Sequence, residues 1–88
     1  MFNLGRIVAT PGALNALQRA GQTPAVFLKR HASGDWGDMG SHDKTQNDLA
    51  LKEGERIVSS YRTRLGQMIW VISEADRSST CILLPEEY

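Results

Sequence analysis

The run Gln67-Met68-Ile69-Trp70-Val71-Ile72-Ser73 constrains the chain most. Side chains along a strand alternate between two faces, so Met68, Trp70 and Ile72 share one face while Ile69 and Val71 take the other. Both faces are apolar, which suits a central strand needing cover on each side. Two more β-favouring runs flank it, Arg56–Arg62 and Ser79–Leu84, separated by the short stretches Thr63–Gly66 and Glu74–Ser78. Connections of that length join neighbouring strands antiparallel, so the C-terminal half predicts a three-stranded meander. Trp70 is expected in the core and Tyr61 across the hairpin from it. Pro85 lacks a ladder donor and ends the last strand, leaving Glu86-Glu87-Tyr88 as a tail.

The N-terminal half is punctuated for helices. Arg6-Ile7-Val8-Ala9 favours strand and stops at Thr10-Pro11-Gly12, where Thr10 can cap and Pro11 fits the first helical position. Ala13, Leu14, Ala16, Leu17 and Ala20 then recur at helical spacing, with Gly21 placed to terminate the helix. Thr23-Pro24 repeats the signal for a second, shorter helix through His31, whose basic end (Lys29, Arg30, His31) complements the helix dipole. Ser41 or Asp43 can cap a third helix to about Lys52, with Gly54 as its stop and Leu49, Ala50 and the Lys52 stem facing inward. The fold class expected is therefore α+β, in one domain over residues 1–88: an antiparallel three-stranded meander, open to an added N-terminal strand, packed on one face against two to three helices. The other face could be covered by the N-terminal connection, by the loop described next, or by a second copy of the chain.

Between the second and third helices lies His31-Ala32-Ser33-Gly34-Asp35-Trp36-Gly37-Asp38-Met39-Gly40. Three glycines suit positive-φ turns, and an indole beside two carboxylates suits a loop that docks. Trp36 either plugs the underside of the sheet or stands out to anchor a partner. Asp35 and Asp38 can close Asx-turns onto loop amides. The turn Glu74-Ala75-Asp76-Arg77-Ser78 offers a second polar cluster, and Arg77 set against Asp35 or Asp38 would join the two segments into one cleft. Two functions follow. The first is protein binding, to a partner or to itself, through Asp35, Trp36, Asp38, Asp76 and Arg77. The alternative is a small hydrolase or nuclease-like enzyme using His31, Asp35, Asp38, Glu74 and Arg77, which requires those groups to converge.

Composition narrows the remaining classes. Ten basic and ten acidic residues cancel, so no overall field attracts polyanions and nucleic acid is disfavoured, although Arg56, Arg62 and Arg64 cluster at the first hairpin. The spacing of His31, Asp35, Asp38, His42 and Asp43 fits no recognised metal motif, and a single cysteine, Cys81, rules out a thiolate zinc site. Cys81 is expected as a small buried hydrophobe. No nucleotide-binding glycine motif occurs, so no cofactor is expected, and no apolar run spans a membrane. A cytoplasmic protein is the expectation.

Three segments, Gly5–Leu14, His31–Asp38 and Ile69–Tyr88, with their Ser-Gly-Asp-Trp-Gly-Asp, Glu-Ala-Asp-Arg-Ser and Leu-Leu-Pro-Glu-Glu-Tyr pieces, resemble a family of small bacterial proteins of unknown function. Its members are labelled hypothetical or plasmid-related, and some carry a restriction-modification name. The resemblance implies an α+β fold, a mobile-element setting and an accessory role, and it brings no activity.

Overall fold

A computed structural model describes residues 2–88. Strand β1 (Arg6–Ala9) is followed by helices α1 (Pro11–Arg19), α2 (Pro24–Ala32) and α3 (Ser41–Glu53). Strands β2 (Ile57–Arg62), β3 (Met68–Ser73) and β4 (Ser79–Leu83) complete the fold, with a terminal 3₁₀ turn at Pro85–Glu87. The sheet order is β1-β4-β3-β2. The meander is antiparallel, and β1 adds parallel to β4 with Val8 beside Cys81. The α+β architecture expected from the sequence is the one observed, with β3 interior and three helices.

Helix boundaries follow the local chemistry. The Thr10 hydroxyl accepts from the Ala13 N–H at 3.1 Å, and Pro11 occupies the first turn. The far end of α1 closes as a Schellman motif: the Gln22 N–H donates to the Leu17 carbonyl and the Gly21 N–H to that of Gln18, with Gly21 at φ +67°. Leu14, expected inside, is exposed. The third helix departs further from expectation. Gly40, not Ser41 or Asp43, occupies the N-cap, and no side chain caps it. Its inward residues are Asn47 and Ala50, with Leu51 partly buried, whereas Leu49 and Lys52 face outward.

Alternation along the strands sorts the sheet into two faces. The inner face carries Ile57, Ser59, Tyr61, Ile69, Val71, Ser73, Thr80 and Ile82, all buried. Against it pack Ala13, Ala16 and Leu17 of α1 and Phe27 of α2. A second cluster, Trp36, Ala50 and Ile57 with Phe2, Met39 and Leu51, joins α3 to the start of β2. The outer face carries Val8, Val58, Met68, Trp70, Ile72, Cys81 and Leu83; no α-helix packs on it among the described residues, but Ile72 and Leu83 are buried, and the terminal 3₁₀ turn and Tyr88 lie against β3. Trp70 is therefore not in the core as expected; it is half-buried on this open face. The C-terminus is not a free tail either. Tyr88 sets its ring edge-on to Trp70 at 5.7 Å, and its hydroxyl accepts from Arg56 at 2.7 Å.

Candidate functional site

The glycine-rich loop is ordered because it behaves as a fragment of a fifth strand. Its Trp36 carbonyl accepts from the Ser60 N–H (3.1 Å), and the Asp38 N–H donates to the Ser60 carbonyl (2.6 Å), bridging Gly37 to β2 in parallel. Gly37 makes the approach possible. Its φ is +82°, and a Cβ there would collide with the Ser60 carbonyl and the Tyr61 ring. Further along the same edge, Asn47 of α3 donates to the Val58 carbonyl (2.6 Å) and accepts from the Val58 N–H (3.3 Å). One asparagine thus replaces a neighbouring strand at that position, and the outward groups of Val58 and Ser60 are all satisfied.

Trp36 takes the interior of its two expected roles. It is 3% exposed, wedged between α3 and β2, and its Nε1–H donates to Asp48 at 2.8 Å. An indole committed in this way is not exposed to anchor a partner, whereas Asp35 and Asp38 beside it remain exposed. Its carboxylate neighbours are committed too. Asp35 forms a two-pronged pair with Arg30 (2.7 and 3.3 Å) and accepts from the Gly37 N–H (3.1 Å), the expected Asx-turn. The Arg30 hydrogen bond, helped by that amide, holds the Asp35 carboxyl below the usual carboxylate range. Asp38 pairs with Arg62 at 2.8 Å instead of turning onto a loop amide.

His31, open in the sequence to the basic end of α2 or to the enzymatic cleft, is wholly buried. Its Nδ1 lies 2.5 Å from the Ser59 hydroxyl and its Nε2 2.9 Å from that of Ser73. Ser73 lies 2.6 Å from the Thr80 hydroxyl, which donates to the Leu4 carbonyl at 2.7 Å. The chain of donors fixes the tautomer. Because Thr80 spends its proton on Leu4, Ser73 donates to Thr80, so Ser73 accepts from His31 Nε2–H and Ser59 donates to Nδ1. A second ring proton would turn the Ser59 hydroxyl from donor to acceptor and leave its own proton to find another partner in a buried site. Burial, with the Arg77 charge adding to it, lowers the imidazole pKa to about 4, so the ring is neutral at ordinary pH.

Arg77 sits at φ +61°, the left-handed conformation that closes the last hairpin, while Asp76 accepts from the Ser78 N–H at 2.9 Å. Its guanidinium does not meet Asp35 or Asp38. It donates to the carbonyls of Glu55 (2.7 Å), Glu74 (2.9 Å) and Ala50 (3.4 Å), tying the hairpin to the carbonyl-rich end of α3. Contact with the loop runs only through Phe2, whose ring lies 5.4 Å from Arg77 and 5.3 Å from His31. Glu74 pairs loosely with Arg56 at 3.9 Å. The five groups of the enzymatic alternative therefore point into five separate arrangements. No cavity opens among the described residues, and no three His, Cys, Asp or Glu side chains gather into a metal site there. No helix among them is long and apolar enough to cross a membrane.

Sequence reasoning passed over Phe2, Asn47 and the trio Ser59, Ser73 and Thr80. The trio did leave a signal. Each is a hydroxyl at an inward position of a strand, and buried hydroxyls need a partner. The surface that remains uncommitted is the outer face. Val58, Met68, Trp70 and Cys81 are half-buried there, and Arg6, Arg56 and Arg62 stand on the same side at its rim. The Cys81 thiol is held above its ordinary range by burial and by the charges of Glu87 and Glu74. The chain matches no family model, and no curated protein or solved structure is similar to it.

Proposed function

We propose that this is a small binding domain that takes a protein partner on the outer face of its sheet. The observation that carries the reading is the half-buried apolar strip Val58, Met68, Trp70 and Cys81, which no α-helix covers, which only the terminal Tyr88 ring flanks at Trp70 among the described residues, and which arginines rim. Two-layer domains bury one face of a sheet against helices, and an apolar second face is the part that gains from a further layer. Tryptophan and methionine suit such contacts because they present large, adaptable apolar area. The rim selects the chemistry of the partner: an apolar segment carrying carboxylates. Nucleic acid is a poorer fit, because the chain has no net charge and the strip between the arginines is apolar.

The test is selection of peptides from a random display library on the full chain. Enriched sequences should combine aromatic or branched apolar residues with Asp or Glu. Bound peptide should shift the amide resonances of Val58, Met68, Trp70 and Cys81, and a Trp70→Ser variant should lose binding. Shifts confined to residues 35–38 and 74–78 would return the site to the loop and turn.

A further inference from the structure

The two edges of the sheet end differently. The β2 edge is closed by Asn47 and the glycine-rich loop, whereas no segment among the described residues pairs with the outer side of β1. The amides of Arg6 and Thr10 donate to the carbonyls of Ser78 and Ile82, each at 3.0 Å. In a parallel pair alternate residues face the neighbour, so Ile7 and Ala9 direct their N–H and C=O groups away from β4. Ile7 and Val8 are 43% and 40% exposed. An edge with free ladder groups and apolar side chains is a template for another strand.

Only one self-pairing register fits this edge. Gly5, at φ +67°, takes the backbone out of extended conformation before the strand. Pro11 begins α1 directly after it and has no N–H. Setting Ile7 opposite Ile7 of a second copy requires Gly5 to pair with Ala9, which the Gly5 backbone prevents. Setting Ala9 opposite Ala9 requires Ile7 to pair with Pro11, which lacks the donor. The remaining register sets Ile7 against Ala9 twice, with Val8 facing Val8 on a two-fold axis between them. It uses every outward group of the strand. It also sets Arg6 opposite Thr10 of the other copy, whose hydroxyl is bonded to the Glu87 carboxylate at 2.6 Å. Arg6 has no ion pair within its own chain among the described residues, so each copy offers a free cation to the other's anion.

We propose that β1 is a self-pairing edge, through which two copies of the chain join antiparallel into one continuous sheet with Val8 at its centre. The proposal does not rest on the outer-face reading: Val8 and Arg6 lie on that side, but the seam is made by the outward backbone groups of Ile7 and Ala9, and Trp70 takes no part. A seam of four residues per copy is small beside the ~800 Å² per partner of a standard interface, so the association depends on concentration.

Sedimentation equilibrium of the full chain between about 10 μM and 1 mM, a range suited to weak association, should show a monomer–dimer equilibrium. Ile7→Pro deletes an outward donor and spares the amides that bind β4; it should weaken the dimer by about tenfold or more, roughly the loss expected for one or two hydrogen bonds. Arg6→Glu should weaken it and reverse its salt dependence, because two carboxylates then meet and added salt screens their repulsion. In a Cys81→Ser background, Val8→Cys should oxidise to a cross-linked dimer, because non-hydrogen-bonded partners lie about 4.5 Å apart at Cα, within disulfide reach. Ile7→Cys, off the axis, should not. Circular dichroism checks that each variant folds, and if Ile7→Pro does not, the cysteine pair decides. A monomer at every concentration without Val8→Cys cross-linking overturns the proposal. So does a dimer indifferent to Ile7→Pro and Arg6→Glu, or Ile7→Cys linking as readily as Val8→Cys.

Discussion

Acidification should destabilise the fold through one buried imidazole, over a window set by His31. In the unfolded chain its ordinary pKa is 6.5, and in the fold it is about 4. Between those values the unfolded state binds a proton that the folded state refuses, so stability is complete above pH 6.5 and falls as pH drops towards 4. At about 1.4 kcal/mol per pH unit the full loss is about 3 kcal/mol, a large share of the roughly 4–13 kcal/mol expected for a domain of this length. The structural cause is specific. The ring is wholly buried beside the Arg77 charge, and a doubly protonated ring would also force the Ser59 hydroxyl to turn from donor to acceptor. Asp35 and Glu87, whose carboxyls are held low by Arg30 and by Thr10, lose stabilising charge in the same direction only at lower pH. Urea unfolding at half-unit steps from pH 7.5 to 3.5 measures the slope, and a His31→Gln variant, uncharged but able to donate and accept, should flatten it above pH 4. The His31 ring resonances, separated from those of His42 by a His42→Ala variant, should not titrate near pH 6.5. Wild-type stability independent of pH over the window, or a His31 titration near 6.5, would refute the buried network.

Other perturbations test the packing around the loop. Trp36→Ala should cost about 3–5 kcal/mol, read by chemical denaturation, because it opens a cavity between α3 and β2 and orphans Asp48. Asn47→Ala should cost about 1–3 kcal/mol and accelerate amide exchange at Val58, whose edge groups lose their only partner. Gly37→Ala should unfasten the loop from β2, seen as loss of protection at Ser60 and Asp38, since its Cβ meets backbone and a ring. Arg77→Ala should lower the thermal midpoint by removing the tie between the last hairpin and α3.

What the sequence revealed and what it hid divide along a physical line. Elements coded locally were legible: Thr10-Pro11 opened α1, Gly21 closed it, and short links made β2, β3 and β4 a meander. The two-sided apolar pattern of β3 correctly marked an interior strand, yet it also suggested a packed layer on both faces, and helices pack on only one of them among the described residues. Pairing between distant segments was not legible. Nothing within Arg6–Ala9 states that it runs parallel to β4, since that follows from the path of three helices. The loop was recognised as ordered from Gly37 and Trp36, but its destination was misread, because charges at Asp35 and Arg77 suggested attraction while nearer partners, Arg30 and backbone carbonyls, satisfied them first. His31 was misjudged for the same reason. Helix-dipole logic applies to an exposed cation, and tertiary burial made this one neutral.

Amide hydrogen exchange across a dilution series tests most directly the central claim, that the chain closes one edge of its sheet with its own loop and leaves the other for contact. Val58 and Ser60 should be protected at every concentration, and Ile7 and Ala9 should exchange freely when dilute and slow as concentration rises. Val58 and Ser60 exchanging as fast as Ile7, or Ile7 and Ala9 protected at high dilution, would contradict it.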